Sequence, residues 1–457
     1  MTKENQTANL SLLTDLYELT MAASYFKHKR GCLASFDLFI RNLPEQRSFF
    51  LAAGLADIIS FLAKFRFDGD SIRYLKSLGI FSSEFLEFLK NLRFRGSLWA
   101  VPEGTVVFPN EPLIRIVAPI IEGQLLESYL LNTINLQTTI ATKAVRVVTA
   151  AKGKSVFDFS LRRTHGADAG LKAARSSYIA GFQGTSNVLA GKLYGIPVVG
   201  TMAHSFVMAF KNELDSFFAF AETFGHQAIL LVDTYDTMQG VKNAIIVAKA
   251  LEKKGKRLKA IRLDSGNLIQ LACQARRLLD QASLNYVKIF ASGNLDEYKI
   301  KELIALKAPI DSFGVGTKMG VSVDAPYCDV IYKLSEITDV NGEFLPTMKL
   351  SEGKSTYPGR KQVYRQLNKK GHYKKDIIAL ENEPIDGKKL LVKVIDNGIC
   401  VYRQPSLGEI RKRAKENLSK LPIQVKKLAH SSPYQVDVSP NLQKLIWQVK
   451  KNIVRGK

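Results

Sequence analysis

The strongest constraint on the fold is an alternation, in the middle of the chain, between short apolar runs and longer segments of helical periodicity. Six runs of four or five residues each end in polar residues or glycine, and they occupy residues 155–159, 196–200, 228–232, 259–263, 287–290 and 311–315. Helical segments such as 237–254 and 267–282 separate them. Strands and helices that alternate in this way predict a parallel sheet covered by helices, and continuously apolar strands are typical of burial on both faces.

Polar residues or glycines suited to ligand binding follow each of the six predicted strands. They are, in chain order, Arg162 and Arg163, Thr201 and His204, Asp233 and Asp236, Asp264, then Ser292 with Gly293 and Asn294, and finally Gly316 with Thr317. In a barrel of parallel strands the carboxyl ends meet at one rim, whereas an open sheet spreads six strands across its width. One such residue alone is equally explained by a helix cap. Six groups in succession favour an α/β barrel with an active site at its mouth.

The segments on either side of the barrel follow a different pattern. Residues 35–42 and 104–117 alternate like strands, and a helix is expected between them at 49–65. The 457 residues exceed what one core holds, since single cores seldom grow past roughly 250 to 300 residues. The expected parts are an α+β sandwich domain at 1–135, an α/β barrel at 136–340, and a basic C-terminal extension at 341–457 that packs on and completes the sandwich domain.

The formal net charge of +23 raises nucleic acid as a partner. Residues 341–457 hold 25 Lys and Arg against 10 Asp and Glu, so most of the excess lies in the last quarter of the chain. The basic residues there are mixed with acidic and apolar ones, as in 409–420, which predicts an amphipathic helix with Ile410 and Leu418 turned inward. Nucleic-acid binding is therefore not expected, and a basic nucleic-acid-binding protein is kept only as an alternative.

Composition points to no other class of protein. The four cysteines, Cys32, Cys273, Cys328 and Cys400, have no paired spacing, so neither disulfides nor a zinc site are expected. The first ten residues are polar, and no run approaches the roughly 20 apolar residues that a membrane-spanning helix needs. We expect a cytoplasmic protein without a membrane partner.

Five stretches of the sequence carry a family resemblance. They are LLTDLYELTMAASYF at 12–26, FDFSLRRTHGADAG at 157–170, GTMAHSF at 200–206, RLDSGNL at 262–268 and FGVGTKMG at 313–320. In this order they closely resemble the nicotinate phosphoribosyltransferases, over residues 12 to about 365. The resemblance implies the fold of the type II phosphoribosyltransferases, an irregular α/β barrel packed on a sandwich domain. It also implies a homodimer whose active sites lie at the subunit boundary.

The activity that the resemblance implies is the first step of NAD salvage from nicotinate. Nicotinate and phosphoribosyl pyrophosphate (PRPP) become nicotinate mononucleotide and pyrophosphate, and ATP is the co-substrate through phosphorylation of His204. From composition alone, a histidine in the position of His204 is more often a structural imidazole. Asp264 and Asp233 are the expected catalytic carboxylates, because cleavage of PRPP builds positive charge on the ribose. Magnesium is the expected cofactor on the pyrophosphate, with protein ligands that the sequence leaves open.

The substrate-binding residues follow from the same motifs. For PRPP they are guanidinium or ammonium groups and glycine-rich backbone: Arg162, Arg163, Lys143, Gly293, Asn294, Gly314, Gly316 and Thr317. For nicotinate they are Tyr17, Thr201, Arg262, Ser186 and Phe159. Tyr17 is expected to stack on the pyridine ring from the neighbouring subunit, although an aromatic on the buried face of a helix is the other interpretation.

Two related activities are distinguished by charge. The similar nicotinamide phosphoribosyltransferases have an aspartate where this chain has Ser186, and an aspartate repels nicotinate while accepting a hydrogen bond from an amide. Ser186 together with Arg262 therefore favours nicotinate. Quinolinate phosphoribosyltransferases need further basic residues for a second carboxylate and have shorter chains. The nicotinamide enzyme is the nearer alternative.

Overall fold

The computed structural model describes residues 9–455, which fall into two compact units. One unit contains the chain up to Thr139 together with the chain from Tyr327 onward, and the other is Ile140–Pro326. The strands are β1 Leu33–Ile40, β2 Phe50–Leu51, β3 Ser97–Ala100, β4 Val106–Val107, β5 Pro112–Pro119, β6 Ser155–Asp158, β7 Gly184–Thr185, β8 Ile229–Leu231, β9 Ala260–Leu263, β10 Lys288–Ala291, β11 Ser312–Val315, β12 Val330–Thr338, β13 Phe344–Pro346, β14 Lys361–Leu367, β15 Tyr373–Leu380, β16 Lys388–Lys389, β17 Val392–Asp396, β18 Ile399–Cys400 and β19 Val436–Val438.

The helices follow the same chain order. They are α1 Leu16–His28, α2 Leu55–Lys64, α3 Gly69–Ser77, α4 Ser83–Asn91, α5 Ile120–Gln124, α6 Glu127–Ala150, α7 Ala167–Ala180, α8 Val188–Tyr194, α9 His204–Met208, α10 Glu213–Phe224, α11 Thr237–Lys253, α12 Leu268–Gln281, α13 Glu297–Ala305, α14 Thr317–Gly320, α15 Leu407–Lys420 and α16 Pro440–Val454. In the described residues, no helix is long and apolar enough to span a membrane.

The unit Ile140–Pro326 is built on a parallel sheet of strand order β7-β6-β11-β10-β9-β8. The sheet is curled into a half-barrel with β7 and β8 at its edges, and helices such as α11 and α12 connect its strands. The α/β barrel prediction is confirmed in this open form. Five of the six predicted strands are confirmed as β6, β8, β9, β10 and β11.

The second predicted strand, at 196–200, was wrong. Gly184–Thr185 pairs with β6 instead, and of the predicted run only Val198 joins the sheet, through a single bridge to Thr185. Of residues 196–200 only Ile196 is buried, so most of this apolar run lies at the surface rather than inside a strand of the sheet.

The sheets of the other unit are antiparallel, except that β15 and β19 pair in parallel. A seven-stranded sheet has the order β13-β12-β1-β5-β3-β17-β18, and a four-stranded sheet has the order β16-β14-β15-β19. Only Leu55–Lys64 of the helix predicted at 49–65 is helical, because Phe50–Leu51 pairs with β4 and Gly54 turns the chain at a φ of 113°. The basic amphipathic helix is confirmed as α15, which Ser406 caps and which buries Ile410.

Candidate active site

One face of the half-barrel carries most of the side chains that the motifs singled out. Parallel pairing sets Arg262 beside Leu231 and Phe290, and it sets Phe157 beside Gly314 and Gly184. Successive side chains alternate between the faces of a strand. The same face therefore continues, past the carboxyl ends of the strands, to Asp233, Asp264, Ser292, Gly316, Phe159 and Ser186. The opposite face is buried and mainly apolar, as at Leu230, Ile261, Ile289 and Phe313, with Asp158 and Thr185 as buried polar residues on it.

Arg262 is the hub of this face. Its Nε donates to Ser292 Oγ (3.0 Å), its Nη1 donates to Thr201 Oγ1 and to the Met202 carbonyl oxygen (3.0 Å), and its Nη2 donates to Asp264 Oδ1 (3.1 Å). A guanidinium has five N–H groups, so one N–H on Nη2 is left for a ligand. Thr201 follows Val198, which bridges to Thr185 at the β7 edge of the sheet. The bonds from Arg262 to Thr201 and Met202 therefore connect that edge to β9 at the mouth.

Asp264 and Asp233 form a linked pair of carboxylates. Burial alone would raise the pKa of Asp264, but the Ser292 hydroxyl and the charge of Arg262 hold it below its usual value. Asp264 is therefore ionised at neutral pH. Asp233 Oδ2 accepts from the Asp264 backbone N–H (3.0 Å) and from Ser265 Oγ (2.6 Å). Asp233 Oδ1 is buried and has no hydrogen-bond partner among residues 9–455.

The carboxylates of Asp233 and Asp264 fit Mg²⁺ only when substrate phosphates supply further oxygen ligands. No cluster of three or more His, Cys, Asp or Glu in the described part of the chain is arranged to hold a metal ion by itself. Mg²⁺ typically binds through one or two carboxylates, waters and substrate phosphates. Asp233 and Asp264 supply that number of carboxylates.

His204 opens helix α9 at the mouth. Its Nδ1 lies 3.2 Å from Thr234 Oγ1, and its Nε2 lies 3.9 Å from Asp264 Oδ2. The side chain is 42% exposed, so Nε2 is accessible to a ligand on the carboxylate side. An accessible imidazole nitrogen beside an ionised carboxylate can act as a nucleophile or as a proton carrier.

Arg162 and Arg163 lie on a short 3-10 helix, Leu161–Arg163, directly after β6. Both are exposed, and neither guanidinium forms an ion pair among residues 9–455. They are therefore free to bind an anionic ligand.

Asp158 was missed by the sequence prediction, although it lies within the FDFSLRR motif. Its Oδ1 accepts from the Ser160 N–H (2.9 Å) and hydroxyl (2.6 Å), and its Oδ2 accepts from Thr185 Oγ1 (2.7 Å). Burial raises its pKa despite these bonds. Its backbone carbonyl also accepts the Ser186 N–H. Asp158 thus positions Ser160, directly before the 3-10 helix Leu161–Arg163. It also positions Ser186, which is half-buried after β7.

Two tight turns follow β10 and β11. Gly293 has a φ of 86°, and a Cβ there would lie 1.7 Å from the Asp264 carbonyl oxygen. Asn294 also has a positive φ, of 50°. After β11, a Cβ at Gly316 would approach the Phe159 carbonyl oxygen to 3.1 Å, and Thr317 begins α14. Both turns bring backbone amides to the rim, as phosphate binding requires.

Gly314 and Lys143 are placed differently from the other predicted PRPP ligands. Gly314 lies inside β11 and leaves room for the rings of Phe159 and Phe290, whose centroids are 5.5 Å apart. This ring contact accounts for the glycine without a phosphate. Lys143 is 1% exposed and is bound by Glu297 and Asp324. A direct contact between Lys143 and a ligand is therefore not supported by this arrangement.

Tyr17 belongs to the other unit, on helix α1. Its side chain is 48% exposed, which contradicts the interpretation that it lies on the buried face of its helix. The neighbouring Glu18 is fully buried, and Gln124 donates to it and to Glu127 (2.7 and 3.0 Å), so the helix is held by a polar network beneath Tyr17.

Comparisons with known proteins cover nearly the whole chain. Family models match at residues 12–135, for the nicotinate phosphoribosyltransferase N-terminal domain, at 155–363, for the nicotinate phosphoribosyltransferase family, and at 385–446, for the C-terminal domain. A nicotinate phosphoribosyltransferase of Mycobacterium tuberculosis, pncB2, is 48% identical over 94% of this chain and 92% of its own. One of Bacillus subtilis is 38% identical over 97% of both chains.

Solved structures show the same fold. The human nicotinic acid phosphoribosyltransferase superposes with a TM-score of 0.86 at 31% identity, covering 95% of this chain and 99% of its own. The nicotinate-nucleotide pyrophosphorylase of Pyrococcus furiosus gives a TM-score of 0.72 at 28% identity, covering 92% and 97%.

Proposed function

The chain belongs to the nicotinate phosphoribosyltransferase family, and from this premise we propose that it forms nicotinate mononucleotide and pyrophosphate from nicotinate and PRPP, driven by ATP through a phosphohistidine at His204. The observation that carries the proposal is the convergence of Arg262, Asp264 and His204 on one mouth. No other cluster in the described residues combines a held guanidinium, an ionised carboxylate and an accessible imidazole in this way.

Nicotinate binding is supported by the uncommitted N–H of Arg262. The guanidinium is already fixed in position by its bonds to Thr201, Ser292 and Asp264, so little side-chain entropy is lost when it takes a carboxylate. The half-buried ring of Phe159 lies on the same face and offers an apolar surface to the pyridine. Ser186 adds no negative charge there.

PRPP binding is supported by the arginines and by the two turns. Arg162 and Arg163 can pair with the pyrophosphate, and the backbone after β10 and β11, at Gly293, Asn294, Gly316 and Thr317, can receive the 5′-phosphate. Cleavage of the bond to pyrophosphate leaves positive charge on the ribose, which Asp264 and Asp233 stabilise. Magnesium, when bound, neutralises the pyrophosphate as it leaves.

The role of His204 rests on its two nitrogens having different partners. Nδ1 contacts Thr234, so Nε2 is the nitrogen left to attack the γ-phosphorus of ATP, with ADP as the leaving group. The phosphoryl group adds roughly −1.5 to −2 charge by analogy with other phosphorylated side chains. That charge lies close to Asp264, so it alters the field at the ribose until water removes it.

A homodimer with shared sites is supported by the exposed apolar residues at the start of the chain. Leu10, Leu13, Leu16 and Tyr17 are each between 41% and 53% exposed. An apolar cluster of this kind is typical of a surface that another subunit covers. Tyr17 then stacks on nicotinate bound by the partner.

Neither alternative activity is favoured. A nicotinamide enzyme is disfavoured by Ser186, and a nucleic-acid-binding protein is disfavoured by the match of three family models along the chain.

A direct assay tests the proposal. Purified protein is incubated with PRPP, Mg²⁺ and ATP, together with either nicotinate or nicotinamide, and the products are measured by mass spectrometry. We expect nicotinate mononucleotide, formed faster with ATP, and far less product from nicotinamide. Equal use of both bases, or no nucleotide from either, would refute the proposal.

The His204→Ala variant tests the phosphohistidine separately. We expect this variant to lose the stimulation of activity by ATP. Mass spectrometry should find about one added phosphoryl group (about 80 Da) per site on wild type incubated with ATP, and none on His204→Ala. His226→Ala is the control, because His226 is exposed at the amino end of β8 in the same unit. ATP stimulation that survives in His204→Ala would contradict this step.

A further inference from the structure

A buried charge network lies behind the two turns that follow β10 and β11. Lys143, on helix α6, has its Nζ 2.6 Å from Glu297 Oε2 and 2.7 Å from Asp324 Oδ1. The first contact has the geometry of an ion pair rather than of an aligned hydrogen bond. Glu297 opens α13 after the first turn, and Asp324 follows α14 after the second. One ammonium therefore connects the segments behind both turns.

A second bridge connects the same segments at the rim. Lys318, next to Thr317, has its Nζ 2.8 Å from Asp296 Oδ2, two residues after Asn294. Arg146, one turn along α6 from Lys143, donates to Glu297 Oε1 at 2.8 Å. The two turns are thus tied to each other directly through Lys318 and indirectly through α6.

Energetics indicate that this network determines geometry more than stability. Ionised groups that are fully buried lose much of their hydration energy, so a buried ion pair contributes little net stability compared with apolar packing. Removing one partner is costly, however, because the remaining charge is left unpaired. Without Lys143, the fully buried Glu297 would lose this ion pair and keep the one with Arg146, and the link from Glu297 to Asp324 would be lost.

We propose that Lys143 is a positioning residue, which acts through Glu297 and Asp324 to hold the turns at 293–294 and 316–317 at the spacing that the 5′-phosphate of PRPP requires. This inference rests on the proposed function, since it takes these turns as the phosphate site. It replaces the direct contact between Lys143 and PRPP that the sequence predicted. A positional error of about 1 Å at a substrate-holding group can cost about 100-fold in rate.

Kinetics on three variants test the positioning role. Lys143→Met removes the ammonium, and Asp324→Asn weakens the link to the second segment and keeps the Lys143–Glu297 pair. Lys288→Met is the matched control, because Lys288 pairs with Asp311 (3.1 Å) at the amino ends of the same two strands. We expect the KM for PRPP to rise at least about tenfold in Lys143→Met and about threefold or more in Asp324→Asn. The KM for nicotinate should change less than about twofold in any variant, and Lys288→Met should match wild type.

Ligand binding without turnover gives a second measurement. PRPP and inorganic phosphate should each raise the Tm of wild type and of Lys288→Met, and should raise the Tm of Asp324→Asn much less. Asp324→Asn is the variant used here because it is expected to fold even if Lys143→Met does not. Parallel rises in both KM values, or an Asp324→Asn protein that matches Lys288→Met in both measurements, would overturn the inference. If wild type makes no nucleotide, the proposed function fails, while the Tm comparison still decides whether Lys143 positions a phosphate site.

Discussion

In the proposed function, discrimination between nicotinate and nicotinamide depends on single side chains at the mouth. Arg262 makes four hydrogen bonds from one planar group, which a lysine with three donors on a flexible stem cannot reproduce. Ser186 contributes by what it lacks, a negative charge. Arg262 was identifiable from the sequence because it lies in the RLDSGNL motif, whereas Ser186 was identified by comparison with the similar nicotinamide enzymes, which have an aspartate there.

The charge at position 186 leads to the first prediction. Ser186→Asp should raise the KM for nicotinate at least about tenfold, since two like charges about 4 Å apart repel by about 4 kcal/mol at an effective dielectric constant of about 20. Nicotinamide, which is neutral, should be affected less or should bind better. Steady-state kinetics with each base measures the ratio of kcat/KM values.

Ser186→Asn is the matched control, because asparagine has almost the shape of aspartate without its charge. It should change the preference for nicotinate far less than Ser186→Asp does. Equal effects of the two variants would show that size rather than charge matters at this position.

Other residues could not be assigned from the sequence. By strand alternation, Asp158 belongs to the face of β6 that is turned towards the helices. Nothing in the local sequence pattern shows that the Ser160 and Thr185 hydroxyls donate hydrogen bonds to it. Lys143 was identified as a cation near phosphate, but its partners Glu297 and Asp324 lie more than 150 residues further along the chain. Contacts of such separation depend on tertiary structure.

At the level of elements, the repeated apolar runs predicted most of the strands of the half-barrel, because each buried strand must be apolar on its own. The second strand failed for a different reason. Which of two segments pairs with an edge depends on the neighbouring strand, and here β6 pairs with Gly184–Thr185 while residue Val198 makes one bridge. A two-residue strand has no periodicity that could identify it.

The contact between β9 and β10 at their carboxyl ends leads to the second prediction. Gly293→Ala should disrupt the mouth, because its Cβ would lie 1.7 Å from the Asp264 carbonyl oxygen. The backbone there cannot move without displacing the Asp264 carboxylate, which is proposed to be catalytic. We expect at least about a 100-fold fall in kcat/KM, together with a lower Tm.

Gly195→Ala separates the effect of the clash from that of backbone strain. Gly195 has a φ of 67° in the same unit, and a Cβ there meets no atom within 4 Å. This control should cost only the roughly 1–2 kcal/mol of a left-handed alanine and should leave KM values unchanged. If both alanine variants behave alike, the close approach to Asp264 does not matter for activity.

For the whole molecule, the sequence predicted the fold class better than it predicted the partner of each surface. Five motifs within one chain were enough to indicate the family, since each is a continuous stretch. A partner for the exposed apolar residues Leu13, Leu16 and Tyr17 is not encoded in any continuous pattern, because the isologous interface proposed here would join copies of one surface.

The proposal that two subunits share each active site leads to the last prediction, which mixes two variants that are each expected to be inactive. Tyr17→Ala lacks the stacking ring, and Arg162→Ala lacks a pyrophosphate ligand. If each site takes Tyr17 from one chain and Arg162 from the other, a hybrid dimer has one site with both lesions and one site with neither. Random pairing of equal amounts makes half of the dimers hybrid, so co-expression should restore about a quarter of wild-type activity.

A second mixture separates shared sites from any general stabilisation of one variant by the other. Arg162→Ala and Asp264→Asn both alter residues of the same half-barrel mouth, so every site in their hybrid carries one lesion and no activity should return. Native mass spectrometry confirms that hybrids form in both mixtures. Only a residue donated across the subunit boundary can be complemented in this way. If hybrids of Tyr17→Ala with Arg162→Ala stay inactive, Tyr17 therefore belongs to the site of its own chain or lies outside the site altogether.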